Sequence, residues 1–279
     1  MKKLLPIFAM FALVPNFVFG ADGTKLNIRR IGLDISQTSV KNSAEYIGSS
    51  ISALTADSSE YFRGIGDIAL EYDHGELEWN NTLFMEYGRT QLKPIYAPHT
   101  TSKDADKIQL SSNLAYGIWK YDDLKFGPTA RGQYETEFVA SDGAPHRNVL
   151  RAMAGMALFD HPIIKDLYLV GVYEYDFTFD PKNGKTAAEL GWKLEYKIRD
   201  GVNLSTDGYY REYLTYTDYF GVDLERDLSA NLRLDTNLWG NFTMGPFVGY
   251  RLAKSRAADV YGSNLKIGIS FNYITSFQL

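Results

Sequence analysis

Apolar and polar side chains alternate along most of this chain, and this pattern constrains the fold more than any other feature. In the segment 189–199, the apolar positions of the alternation are Leu190, Trp192, Leu194, Tyr196 and Ile198. Successive side chains of a β-strand point to opposite faces, so each strand has one face in an apolar medium and one among polar groups. A sustained helical period is absent; the segment 43–59 comes closest and is compatible with a short helix.

Turn signals divide the sequence into twelve predicted strands, near 28–39, 61–73, 76–91, 105–121, 124–139, 148–160, 166–180, 185–199, 201–217, 220–236, 240–254 and 261–277. The connections alternate in length. Short ones fall at 74–75, 122–123, 161–165, 200–201 and 237–240, and longer polar ones at 40–60, 92–104, 140–147, 181–184 and 255–260. The connection at 216–219 is a tight exception among the longer ones. An even strand number with this alternation is typical of outer-membrane barrels, so we predict an all-β fold, a transmembrane antiparallel β-barrel of 12 strands.

The first twenty residues have the pattern of a secretory signal peptide. Lys2 and Lys3 precede an apolar run over 4–19, and the residues around Gly20 suit cleavage before Ala21. A retained membrane anchor fits less well, because the run is short for a spanning helix and contains two prolines. We therefore predict a signal peptide over 1–20, a single barrel domain over 21–279, and a location in the bacterial outer membrane.

Composition alone leaves a soluble exported β-protein open. The mean hydropathy is −0.25 and 23% of residues are charged, yet aromatic residues make up 14% and cysteine is absent. A soluble sandwich or lipocalin-like barrel would turn its apolar residues inward. Long strands, and Tyr and Phe near the strand ends as in interfacial girdles, favour lipid on the apolar side. No basic patch stands out in a chain of net charge −5, so nucleic acid is not an expected partner.

The chain ends in mid-alternation, which is unusual because terminal residues commonly fray. Phe271, Tyr273, Phe277 and Leu279 lie on the apolar face of the last predicted strand. This ending resembles that of outer-membrane barrels, whose final strand the assembly machinery recognises, although here the last residue is Leu rather than Phe. A closed barrel must also pair its last strand with its first. We expect these four residues to act as an assembly signal, with barrel-assembly machinery and outer-membrane lipid as partners.

The first third of the chain carries several short motifs. They are Gly32-Leu33-Asp34-Ile35-Ser36-Gln37-Thr38-Ser39 with Asn42, Leu77-Glu78-Trp79-Asn80-Asn81-Thr82-Leu83, Tyr87-Gly88, and Asp106-Lys107-Ile108-Gln109-Leu110-Ser111-Ser112. Over roughly residues 30–140 the sequence thereby resembles a family of bacterial outer-membrane barrels known mainly as a domain of unknown function. The resemblance implies the barrel fold and the membrane location. It implies no activity, so no functional residue can be transferred from the family.

Catalytic and cofactor motifs are weak. The histidines are His74, His99, His146 and His161, all in predicted turns or loops. His99 and His146 could meet above the barrel with Asp104, Asp106 or Asp142, as in a surface hydrolase, but loop histidines are more often solvated bystanders. Asp104 and Asp106 show no metal-site spacing, and Gly64-Ile65-Gly66 lies within a strand, not before a helix. We therefore expect no enzyme activity, no cofactor and no metal site, with an outer-membrane hydrolase as a remaining alternative.

The polar face of the strands supplies the candidate functional residues. The candidate lumen-lining residues are Glu86, Arg131, Glu135, Arg151, Glu174, Asp176, Lys193, Glu195, Lys197, Arg211, Arg233 and Arg251. Inside a barrel such charges either pair across neighbouring strands and stiffen the wall, or line a pore. We predict a porin-like channel for small polar solutes, and the mixed signs argue against strong anion selectivity. The main alternative is a structural or surface-interaction barrel, plugged by its own charges or by residues 40–60.

Overall fold

The computed structural model describes residues 23–46, 52–55, 60–92, 100–139, 145–219, 221 and 223–279. The predicted signal peptide lies outside these residues. The strands are β1 Thr24–Lys41, β2 Glu60–His74, β3 Leu77–Leu92, β4 Thr100–Tyr116, β5 Trp119–Tyr121, β6 Leu124–Thr136, β7 Asn148–Phe159, β8 Ile164–Asp176, β9 Asn183–Arg199, β10 Val202–Tyr216, β11 Leu224–Trp239, β12 Phe242–Ser255 and β13 Gly262–Gln278.

The sheet closes on itself. Long strands that follow one another along the chain pair antiparallel, β1 also pairs with β13, and β4 pairs with β6 past the three-residue β5. The wall therefore has twelve long strands, and the predicted antiparallel barrel is confirmed. One predicted strand is divided: the segment 105–121 is interrupted at Gly117 and Ile118. There both backbone N–H groups donate to carbonyl oxygens outside the β4 ladder.

Connections at the two ends of the barrel differ in length. The turn end carries the short ones, at 75–76, 122–123, 160–163, 200–201 and 240–241, and the loop end carries the longer ones. Gly75, Gly201 and Gly240 have positive φ in three of the two-residue turns, a conformation that glycine adopts without strain. The predicted tight connection at 216–219 is wrong. It spans residues 217–223, because β11 begins only at Leu224, whose carbonyl oxygen accepts a hydrogen bond from the Tyr216 hydroxyl.

The two faces of the wall have opposite chemistry. Leu33 and Ile267 are 47% and 55% exposed on the outer face, whereas the neighbouring Asp34 and Ser270 on the inner face are fully buried. The register places Leu33 opposite Phe271 and Asp34 opposite Ser270, so alternation on each strand is continued across the seam. The barrel is thus apolar outside and polar inside, the inverse of a soluble β-barrel.

The seam between the first and last strands is paired almost from end to end. The register runs from Lys25 opposite Gln278 to Lys41 opposite Ser263, interrupted by one irregularity near residues 28–31. Even the last residue is held, since the Leu279 N–H donates to the Thr24 carbonyl oxygen at 3.1 Å. The terminal strand is therefore a structural part of the wall.

Among the described residues, helical structure is confined to the first loop-end connection. It consists of a 3-10 turn at Ser43–Tyr46 and a single helical turn, α1, at Ser52–Thr55. Within the part of the chain that the structure describes, no helix is long and apolar enough to cross a membrane.

Candidate functional site: the barrel lumen

The twelve candidate lumen-lining residues all lie on the inner face of the wall. The register aligns them in inner rows, for example Glu135, Val149 and Asp176 on three successive strands, and Arg151, Glu174 and Lys185 on three. This placement is a consequence of strand alternation. Whether these residues line a conducting path stays a prediction, and the contacts below divide them into two groups.

Glu174 is the centre of a buried charge network near the loop end. Its carboxylate contacts three cations: Arg151 at 2.6 Å, Lys185 at 3.4 Å and Arg211 at 3.6 Å. The Tyr213 hydroxyl donates a further hydrogen bond to it at 3.1 Å. A buried carboxylate is tolerated only with such pairing, because burial removes its hydration.

This network, named here the Glu174 network, extends across five strands. Arg151 also binds Glu135 at 2.7 Å, and Arg211 donates from Nε to Glu189 at 2.6 Å. The Tyr168 hydroxyl donates to Glu189 at 2.8 Å, and the Arg131 guanidinium stacks on the Tyr168 ring, 3.6 Å from its centroid. Gly191 leaves the room for that ring, since a Cβ there would lie 2.1 Å from it.

Two smaller networks cover other parts of the wall. In the first, Asp34 pairs with Arg30 and with Arg63, at 2.5 Å from the latter, and Arg63 also binds Glu86 at 2.8 Å. In the second, Arg251 donates to Asp227 at 2.8 Å. Such ion pairs connect neighbouring strands and hold the inner face of the wall together.

Charges near the turn end of β9 are much less constrained than Glu174 and its partners. The side chains of Lys193 and Glu195 are 36% and 44% exposed, and their charged atoms are 3.7 Å apart. Lys197 pairs with Asp200 in the adjacent turn at 2.6 Å, although its side chain is 65% exposed. These residues share the inner face of β9 with Lys185 and Glu189, but they remain hydrated.

The first loop-end connection packs into the barrel mouth. Leu54 of α1 is fully buried, and the Tyr46 hydroxyl donates to the carbonyl oxygens of Ala253 and Val260, both at 2.9 Å. The Asn264 amide on the inner face of β13 donates to the Ala53 carbonyl oxygen at 2.6 Å. The described parts of this connection therefore narrow the loop end.

The candidate hydrolase residues have structural contacts. Asp106 accepts hydrogen bonds from the backbone N–H groups of Phe138 and Val139, and His161 accepts two from its own turn. His146 contacts the Thr136 hydroxyl at 3.3 Å. His74 stacks on Tyr72 at the turn end, while His99 and Asp142 lie outside the described residues. Among the residues that the structure describes, no group of three His, Asp or Glu side chains is arranged to hold a metal ion.

Sequence reasoning missed some inner residues. Lys185 and Asp227 were not among the candidates, although strand alternation places both on the polar face. Apolar inner residues were missed for a different reason. Met153, Val170 and Val172 face inward and are buried, but β7 and β8 are apolar on both faces there, so periodicity gives no signal.

Residues 53–141 match a family described as "Protein of unknown function (DUF3078)". No curated protein matches this sequence. Among solved structures, the chain is similar to outer-membrane phospholipase A from Escherichia coli (11% identity, 88% of this chain and 90% of that one, TM-score 0.45). It is also similar to an outer-membrane channel from Pseudomonas putida F1 (12% identity, 94% of this chain and 98% of that one, TM-score 0.46). A third similar structure is the translocator domain of autotransporter NalP from Neisseria meningitidis (14% identity, 98% of this chain and 98% of that one, TM-score 0.35).

Proposed function

We propose that this chain is an outer-membrane β-barrel that acts as a narrow channel for small polar solutes. The observation that carries the proposal is the partial exposure of inner-face charges on strands all round the wall. Arg29, Glu71, Asp166, Lys193 and Arg251, from five different strands, all retain some exposure while pointing inward. Twelve strands enclose more space than eight, whose side chains can just fill the interior.

The outer-membrane location is part of the proposal. The apolar outer face supports it, because a Lys or Arg facing lipid at mid-membrane costs about 2–4 kcal/mol and the ionic networks here are turned inward. The signal-peptide pattern over 1–20 supports export. By analogy with barrels of this type, the turn end faces the periplasm and the loop end faces outward.

The channel admits small solutes without strong charge selection. Arg131, Arg151 and Arg211 on the inner face each pair with a carboxylate of another strand, and among the described residues these pairs leave no ring of one sign. A strongly anion-selective pore would need unopposed Arg and Lys rings.

Solute flux into proteoliposomes tests this proposal. Liposomes carrying the refolded full-length protein should swell in small sugars and amino acids faster than empty liposomes, and the rate should fall as solute size rises. A matched control is the same protein left unfolded, which should give the rate of empty liposomes. Equal rates for folded protein and empty liposomes would contradict a channel.

A second candidate, a closed structural barrel, is favoured by one observation. The Glu174 network and the docked Tyr46 and Leu54 are buried at the loop end. If they close the lumen completely, folded protein would leave the liposomes impermeable while still resisting heat in detergent. The flux experiment therefore separates the two functions.

We also propose that Phe271, Tyr273, Phe277 and Leu279 form the signal for assembly of the barrel, with the assembly machinery as a transient partner. Replacing Phe277 and Leu279 with Asp should abolish insertion, measured as heat-modifiable barrel in outer-membrane fractions. The matched control is Ser276 and Gln278, which point to the other face; the same change there should reduce insertion much less. Equal loss from both pairs would mean that strand disruption, not recognition of the apolar face, explains the effect.

A further inference from the structure

Two inner-face charges lack the partners that their neighbours have. Among the described residues, the Lys107 ammonium on β4 has no carboxylate within ion-pair distance, and one carboxylate oxygen of Asp67 on β2 is buried without a hydrogen-bond donor. Elsewhere on the inner face, Asp34, Glu174 and Asp227 are each held by an arginine. An unpaired buried carboxylate oxygen is costly and calls for an explanation.

An aromatic ring lies between these two charges. Phe84 on β3 is directly opposite Asp67 in the ladder, and the Lys107 ammonium lies 5.6 Å from the centroid of the Phe84 ring. The other inner-face phenylalanines, Phe159 and Phe247, are buried in the wall. Phe84 stays half-buried, so part of its ring remains open to the lumen.

The spacing suits a solute with both charges. Asp67 is opposite Phe84 on the next strand, and Phe84 is opposite Gln109, which lies two residues from Lys107 along β4. At ordinary strand dimensions this separates the Cα atoms of Asp67 and Lys107 by about 12 Å. The side chains of Asp67 and Lys107 span part of this distance. The gap between their charged groups suits a molecule whose own positive and negative charges are a few bonds apart. Its carboxylate would bind Lys107 and its ammonium Asp67, with an apolar body on Phe84.

We propose that Asp67, Phe84 and Lys107 form a binding site in the lumen for an amphoteric solute with an apolar side chain, such as an aromatic amino acid. This rests on the proposed channel and names the class of solute that it selects. A bound ammonium supplies a charged partner to the Asp67 carboxylate, whose buried oxygen receives no donor from the protein. A bound carboxylate supplies the ion pair that Lys107 lacks.

The surroundings support both ends of this site. Lys107 is within electrostatic range of Glu135 and Glu86, and also of Arg151 and Arg251. Asp67 is within range of Arg29 and Lys193, and also of Asp207. Each end thus contains charges of both signs. Because charges of both signs surround the site, they favour a zwitterion of zero net charge over a solute that carries a net charge.

Calorimetric titration of the folded full-length protein in detergent with L-phenylalanine tests the site. Binding should be saturable, and phenylacetate and phenethylamine, which each lack one charge, should bind about tenfold or more weakly, as expected for one lost charged hydrogen bond. Asp67→Asn and Lys107→Gln should each weaken L-phenylalanine binding by a similar factor. Lys120→Gln, an exposed charge at the turn end, is the matched control and should bind like wild type.

Retention of the folded, heat-modifiable form shows that each variant is intact. No binding to the folded wild type, or equal binding by wild type and both site variants, would overturn the site. Binding without flux in the liposome experiment would leave the site standing and reject the channel. Flux without binding would leave the channel standing and reject the site.

Discussion

Two regions of the lumen, the Glu174 network and the turn end of β9, use the same residue types in opposite ways. At the loop end, Arg151 and Glu174 are both 3% exposed and 2.6 Å apart, whereas at the turn end Lys193 and Glu195 are about ten times more exposed and 3.7 Å apart. Both pairs lie on the same inner face. The contacts that a charge makes with neighbouring strands and turns, and not its residue type, decide whether it braces the wall or stays exposed; Lys125 at the turn end is also buried, paired with Asp160.

The energetic consequence is a difference in what each charge contributes. Removing one partner of a buried ion pair leaves the other charge without compensation and costs about 3–5 kcal/mol. An exposed pair contributes about 0–1 kcal/mol. The Glu174 network should therefore contribute more to stability than the exposed charges of β9, and those exposed charges should influence how ions enter.

The largest expected effect is on unfolding. Arg151→Gln leaves Glu174 and Glu135 short of a buried partner, so the free energy of unfolding should fall by about 3–5 kcal/mol. Lys193→Gln is the matched change at the turn end and should cost less than about 1 kcal/mol. Urea unfolding of both variants in detergent measures the difference in unfolding free energy. Equal losses from the two variants would remove the distinction between the Glu174 network and the turn end of β9.

A smaller effect is expected at the mouth. Leu54→Ala removes packing from a fully buried side chain, a change that costs about 2–5 kcal/mol in a protein core. The connection can undock without unfolding the barrel, so we expect higher single-channel conductance with little change in barrel stability. Glu45→Gln, exposed in the same connection, is the control. An unchanged conductance would show that the loop does not limit flow.

The smallest effect concerns an exposed turn. The hydrogen bond from Lys197 lowers the pKa of the Asp200 carboxyl. A carboxyl group whose pKa is lower in the folded state stabilises that state at pH values above its unfolded-state pKa. This stabilisation is lost as the pH falls through the folded-state pKa. Lys197→Gln should raise the pKa of Asp200, measured by NMR titration of its carboxyl carbon, and Lys120→Gln should leave it unchanged. High salt should shrink the difference, since the pair is exposed.

The sequence predicted the wall well because alternation and turn chemistry act locally. Each predicted strand overlaps an observed one, and the glycines at 75, 201 and 240 mark turns by a backbone requirement. The tight connection at 216–219 was predicted wrongly for a non-local reason. Asp223 is held by Asn183 and Lys185 of β9, and β11 begins only at the next residue, Leu224.

The division of the lumen could not be predicted from the sequence. Alternation assigns Glu174 and Lys193 alike to the polar face, yet only contacts between distant strands show that one is buried and the other hydrated. The docking of Leu54 into the mouth likewise depends on β13 and β4, far along the chain. Local patterns specify faces, while depth and closure come from tertiary packing.

The most direct test of a hydrated, conducting lumen uses the absence of cysteine from this chain. Single channels of Lys193→Cys are recorded in a planar bilayer before and after adding a positively charged thiol reagent, with wild type as the unreactive control. If the turn end lines the path, both proteins conduct in discrete steps, and labelling changes the current and ion selectivity of the variant only. A folded protein that never conducts, or a labelled variant confirmed by mass whose current is unchanged, would contradict the account.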